Sequence, residues 1–168
     1  ANRERGRHII TTKIENPSVL RVCERLEMEG FKVDYLPVDR EGFVDPALIE
    51  EKISKDTILV SVGSVNDEIG TIQDIEEIGK ILQQRKDKIY FHVNAAAGYA
   101  RVPVDVEKAG IDLLSISAHK IHGPKGVGAL YVREGTKIEP VTCGYVSLFG
   151  LRPGTENVPG IVGFAKAA

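Results

Sequence analysis

Hydrophobic positions along the chain follow two periods. Segments 7–12 (RHIITT), 32–36 (KVDYL), 57–62 (TILVSV), 89–93 (IYFHV), 111–117 (IDLLSIS) and 127–132 (VGALYV) are β-branched, alternating or continuously apolar. They predict six strands, and the continuous runs at 57–62 and 89–93 predict strands buried on both faces. Between them the spacing turns helical. Asn16-Pro17 supplies a cap and a proline at the first helical position, Val19, Leu20, Cys23, Leu26 and Glu27 follow, and Gly30 is a stop. Asp45-Pro46 opens a second helix to about Ile53. Residues 74–85 form a third, with Ile75, Ile78, Ile81 and Leu82 on one face, and residues 104–110 predict a short fourth.

Strands alternating with helices predict a mostly parallel sheet covered by helices on both faces, a three-layer α/β/α sandwich. The link from Ser117 to Val127 is a Gly/Pro loop without a helical signal, so the last strand is expected to run antiparallel. In open sheets of this kind, ligands gather at the carboxyl ends of the strands. That rule selects Asn16, residues 66–71, residues 94–98 and residues 117–126.

Composition narrows the classes. Among 168 residues, 22 Lys and Arg against 24 Asp and Glu leave a net charge of -2, without the basic excess of an electrostatic nucleic-acid binder. No apolar run approaches the roughly 20 residues that span a bilayer. Ala1 to Arg7 is polar and carries three arginines, unlike a secretory signal. Cys23 and Cys143 are too far apart in sequence and too few for a disulfide framework or zinc knuckle, and a reduced, cytoplasmic setting is expected. The chain starts at Ala1 rather than Met and stops at Ala168 within an apolar helical pattern, so a piece of a longer protein is expected.

The segment with most chemical content is Ser117-Ala118-His119-Lys120, followed by Gly123-Pro124-Lys125-Gly126. A lysine just past a buried strand is open to desolvation, which favours the neutral, nucleophilic amine, and a neighbouring Ser and His can hold a phosphate. On spacing alone, a solvated loop lysine is the simpler reading. His119 and His122 are three apart without a carboxylate or thiol cluster, so no metal is expected. Arg101 reads as part of a solvated face.

The stretch from Ser117 to Val132 (SAHKIHGPKGVGALYV) resembles the lysine segment of cysteine desulfurases, pyridoxal-phosphate enzymes of the class V aminotransferase family. Asn66-Asp67-Glu68-Ile69-Gly70-Thr71-Ile72-Gln73 resembles the family's Asn-Asn-Glu-Ile-Gly-x-x-Gln. Residues 91–96 (FHVNAA) resemble its His-Val-Asp-Ala-x-Gln segment, and residues 152–157 (RPGTEN) its Arg-Ser-Gly-Thr-Glu-Asn. His8 to Asn16 resembles the strand leading to an active-site His. These segments keep the family's order over essentially the whole chain.

The resemblance implies the large domain of a fold type I pyridoxal-phosphate enzyme lacking its first strand. Residues 1–140 would carry sheet and helices; residues 141–168 would form a divergent loop and the start of a helix leading to an absent small domain. It implies Lys120 as the lysine that binds the cofactor covalently and moves protons. Ser117 and His119 would hold the phosphate, and Asn16, Asp67 and Asn94 would stand at the remaining cofactor positions. Thr155 would reach the phosphate of a second subunit in a homodimer. The parent reaction takes sulfur from L-cysteine, leaving L-alanine and an enzyme persulfide, with an iron–sulfur scaffold protein as a possible partner.

Several family positions are changed. Asn94 stands where the family has the aspartate that keeps the pyridine nitrogen charged, and Asn16 where it has a ring-stacking histidine. Asp67 replaces the second Asn, Ala97 a Gln, and Gly144-Tyr145-Val146-Ser147-Leu148 a Gly-Gly-Gly-Gln-Glu run. The family's phosphate loop and the mobile loop with the persulfide cysteine have no counterpart, and neither Cys23 nor Cys143 maps onto that cysteine. Two alternatives therefore stay open: a non-catalytic remnant or engineered scaffold without tight cofactor binding, and another class V activity such as selenocysteine lysis or transamination.

Overall fold

The computed structural model describes residues 1–144 and 148–168. Six strands form one sheet: β1 (His8–Thr12), β2 (Lys32–Leu36), β3 (Thr57–Gly63), β4 (Tyr90–Asn94), β5 (Leu113–Ser117) and β6 (Gly128–Val132). Their spatial order is β2-β1-β3-β4-β5-β6. All neighbours are parallel except β5 and β6, which pair antiparallel from Leu113↔Val132 to Ser117↔Gly128. The expected reversal of the last strand is therefore present.

The helices are α1 (Pro17–Met28), α2 (Pro46–Lys52), α3 (Ile75–Gln83) and α4 (Val158–Ala167). Each of the first three starts where a short polar side chain caps it. Asn16 accepts from the Ser18 N–H, Asp45 from Ala47 and Asp74 from Glu77, so each relieves one of the unpaired donors of a helix start. The chain moves one way along the sheet from β1 to β2 and the other way from β2 through β5. Right-handed crossovers then place α1 on one face and α2 and α3 on the other. The main core lies under α2 and α3, where Ile10, Val60, Val62, Phe91 and Val93 meet Ile49, Ile78 and Leu82. A smaller core joins α1 to β1 and β2 through Ile9, Cys23 and Val33.

Two local expectations change. Residues 104–110 form turns rather than a helix: the Asp105 carboxylate accepts from the Glu107 and Lys108 N–H groups, closing one turn that does not propagate. The Gly/Pro link after β5 begins with a 3-10 turn, Ala118–Ile121, which ends at His122 in the left-handed region with φ 66. Its Ala118 and Ile121 are buried against Phe164 of α4. A second 3-10 turn spans Leu148–Gly150. The changed run at 144–148 has its central residues, Tyr145, Val146 and Ser147, outside the described residues. Among the described residues, no helix is long and apolar enough to cross a membrane.

Candidate functional site

The direction of chain travel reverses between β1 and β3, and a crevice opens there at the carboxyl ends of the strands. It holds a cavity of about 400 Å³. The four segments selected from the sequence all contribute to it: Asn16 after β1, Asn66 and Asp67 after β3, Asn94, Ala96 and Ala97 at the end of β4, and Ser117, His119 and Lys120 after β5. Thr155 lies apart from this lining, exposed between the second 3-10 turn and α4.

Lys120 stands on the 3-10 turn with its apolar neighbours facing down. Its Nζ lies 3.4 Å from Asp67 Oδ2, and its side chain is 37% exposed. A partly exposed amine facing a carboxylate, at the end of a half-buried strand, agrees with the solvated loop lysine that spacing alone favours. The same Asp67 oxygen accepts from Asn16 Nδ2 at 3.0 Å. Asn16 is thus engaged at both ends, its Oδ1 capping α1 through Ser18 N and Ser18 Oγ. Ser117 Oγ and His119 Nδ1 share a hydrogen bond of 2.8 Å. Asn94 Oδ1 accepts from Ala96 N at 3.2 Å. Asn94 is in register with Gly63 and Ser115, so its side chain shares their face of the sheet, the α1 side.

Two motif residues serve the scaffold. Asn66 donates to the Ile14 carbonyl and accepts from Glu68 N and Ile69 N, which ties the loop after β3 to the one after β1. Buried Gln73 accepts from Val44 N and donates to the Gly42 carbonyl. Sequence reasoning missed Glu15 altogether. Its Oε1 accepts from Thr12 Oγ1 and Gly63 N, both at 2.8 Å, while Oε2 is buried without a hydrogen-bond partner among the described residues. Burial raises the Glu15 pKa, against the pull of the Gly63 and Thr12 bonds. Glu15 lies within the 8–16 segment singled out above, but a lone acid between a strand and a helix cap has no distinctive spacing of its own.

Beneath Asn94, on the same face, His92 bridges Ser61 Oγ and Ser115 Oγ through its two ring nitrogens at 2.8 Å each. Burial pushes its pKa down to about 4, so the ring is neutral at pH 7. Cys23 packs between α1 and the sheet, and burial pushes its thiol up to about 11. Cys143 is exposed. Among the described residues, no group of three or more His, Cys, Asp or Glu side chains is arranged to hold a metal.

The lining brings an amine, a hydroxyl, an imidazole and an amide to one crevice. The amine is Lys120, the hydroxyl and imidazole are those of the hydrogen-bonded Ser117 and His119, and the amide is Asn94. The lining offers no aromatic face at Asn16 and no carboxylate at Asn94.

The family profile described as aminotransferase class-V matches residues 1–168. The cysteine desulfurase IscS of Dictyoglomus turgidum is 53% identical over 97% of this chain and 41% of its own length. The cysteine desulfurase IscS of Methanosarcina thermophila is 53% identical over 99% of this chain and 41% of its own length. The chain thus spans about two fifths of these curated relatives. Among solved structures, a NifS-like protein superposes with a TM-score of 0.94 at 45% identity, covering 99% of this chain and 46% of that one. A structure described as SspA in complex with cysteine superposes with a TM-score of 0.93 at 40% identity, covering 99% of this chain and 48% of that one.

Proposed function

Because the chain belongs to the class V aminotransferases, as a partial match to their cysteine desulfurases with the fold type I sheet, we propose that its cavity is a pyridoxal-phosphate pocket. The single observation carrying this reading is the convergence of Lys120, Ser117, His119 and Asn94 on one cavity at the reversal point of the sheet. When bound, the cofactor supplies an electron-accepting ring that stabilises charge at the α-carbon of an amino acid. The chain's own residues do the rest. Lys120 Nζ provides the amine and carries protons, with Asp67 as its carboxylate partner. Ser117 and His119, already hydrogen-bonded to each other, would hold the phosphate, and Asn94 would stand at the ring nitrogen as a neutral hydrogen-bonding partner. The substrate of the whole protein is L-cysteine, as the names of its relatives suggest, and its setting is a cytoplasmic homodimer with Thr155 serving the partner's pocket. An iron–sulfur scaffold protein would then accept the sulfur.

The residues at 16 and 94 weaken this chain's hold on the cofactor. A neutral amide cannot supply the charge of a carboxylate, and a charge-assisted hydrogen bond is worth about 1.5–3 kcal/mol. A lost aromatic stack adds roughly 0.5–1.5 kcal/mol. Desulfuration also needs an exposed, mobile thiolate near the substrate. Cys23 is buried with a raised pKa, and Cys143 is not in the cavity lining. This chain by itself is therefore proposed to bind weakly and not to turn over cysteine. The test is incubation with pyridoxal phosphate, borohydride reduction and peptide mapping. Label is expected on Lys120 and lost in Lys120→Ala, with Asn94→Asp plus Asn16→His raising the affinity by about two orders of magnitude if the contacts add. Label scattered over other lysines overturns the assignment. Lysine-dependent release of alanine from cysteine over many cycles overturns the proposed inactivity.

A further inference from the structure

Arg101 stands outside every motif singled out above, yet it reaches the lysine turn. Its Nη2 donates to the Lys120 carbonyl at 2.6 Å and its Nη1 to the Ala97 carbonyl at 3.1 Å. The Lys120 carbonyl belongs to the last turn of a short 3-10 helix, where carbonyls run out of backbone partners; the turn's closing N–H groups, from His122 and Gly123, both go to Ala118 instead. A guanidinium placed there caps the turn as cationic side chains cap helix ends. The other end of the clamp is rigid. Ala97 precedes Gly98, where an added Cβ would meet Val65 Cγ2 at 2.7 Å and Ser64 Oγ at 3.0 Å, so the loop after β4 is seated tightly on the end of β3. Tyr99 in that loop packs edge-on against Phe164, which also lies against Ala118 and Ile121.

We propose that Arg101 is a positioning residue for Lys120, a two-carbonyl clamp that fixes the lysine turn against the loop after β4 and so aims Nζ into the cavity toward Asp67. This rests on the reading of Lys120 as the cofactor lysine. Arg101 touches no ligand; it acts through the backbone of the residue that does. A single arginine thus spans two loops of the crevice above the turn, whose Ala118 and Ile121 pack underneath against Phe164.

The experiment compares the chain with Arg101→Met, which keeps length but removes both donors, and Arg101→Lys, which retains one cation. Two labelling reactions are read by mass spectrometry. Pyridoxal phosphate followed by borohydride reports productive placement of Lys120. Trace acetylation with acetic anhydride reports access to the Lys120 amine, normalised to exposed Lys86 in the same molecule. In Arg101→Met the pyridoxal-phosphate rate at Lys120 is expected to fall about tenfold or more, as misplacement of a reacting group does. The acetylation ratio of Lys120 to Lys86 is expected to rise by about fivefold, the factor a single net hydrogen bond is worth once the Asp67 contact is lost. Arg101→Lys is expected between the two. Opposite movements of the two rates are not produced by general loosening, which raises accessibility of other lysines as well. Unchanged rates in Arg101→Met overturn the clamp. If Arg101→Met does not fold, an Arg101→Lys protein identical to the parent in both reactions overturns it. If the parent takes no pyridoxal phosphate at Lys120, the cofactor reading falls, and the acetylation ratio still decides the role of Arg101.

Discussion

His92 shows how one buried side chain sets a pH limit. It joins three strands through Ser61 and Ser115, and burial holds its pKa near 4 against an ordinary 6.5. A base with a lowered folded-state pKa contributes its full stability above 6.5 and loses it as pH falls from 6.5 toward 4. That interval corresponds to roughly 3 kcal/mol at most. His92→Gln is expected to lower the urea midpoint at pH 7 through the lost bridge, yet to flatten the decline between pH 6.5 and 4. A parallel decline in both proteins would mean that other groups set the acid limb. Glu15 works in the opposite sense. Its raised pKa costs stability as pH rises through it, which is the counterpart of leaving Oε2 buried and unpaired beside the cavity.

At the scale of elements, α3 is the most constrained helix. Gly79 lies in its middle, where alanine would ordinarily gain about 1 kcal/mol in helix propensity. Here an added Cβ would sit 1.9 Å from the Ala109 carbonyl oxygen. The helix would have to move off the turn at 106–110, and overpacking of this kind costs typically 1–3 kcal/mol or more. Gly79→Ala is therefore expected to lower the melting temperature; an increase would show that the turn yields freely. The same turn illustrates what was legible in the sequence. Its apolar residues Val104, Val106 and Ala109 face the core as a helix would, but Asp105 spends its carboxylate on the local N–H groups and stops propagation. Period and caps disclosed the strands, the first three helices and the reversed last strand, because those depend on neighbours in sequence. They disclosed the cavity residues through motif order. They did not disclose Glu15, Arg101 or the Asp67–Lys120 contact, which pair residues 48, 19 and 53 positions apart through the fold alone.

For the whole molecule, the two sheet faces are unequal. α2, α3 and the turn before β5 cover one side, whereas among the described residues the apolar cluster under α1 reaches β1, β2 and Leu59 of β3. Leu130 on β6 is 49% exposed, and β6 hydrogen-bonds to β5 alone among the described residues. An unpaired edge with apolar side chains recruits other chains. Sedimentation is expected to show concentration-dependent association that Leu130→Lys weakens; a stable monomer at high concentration would contradict this. The position of β1 has a kinetic consequence. β1 pairs on both sides, with β2 and with β3, and its contacts with β3 bridge 49 or 50 residues of chain, from His8↔Thr57 to Ile10↔Val60. The β5–β6 hairpin closes over a far shorter loop, so the turn bearing Lys120 can form on the microsecond scale of local hairpins. The crevice waits for β1 to insert between its neighbours, a non-local and therefore slower event. A denatured full-length chain is thus expected to form the turn bearing Lys120 before the crevice around it, so that closure of the crevice reports a late step of refolding.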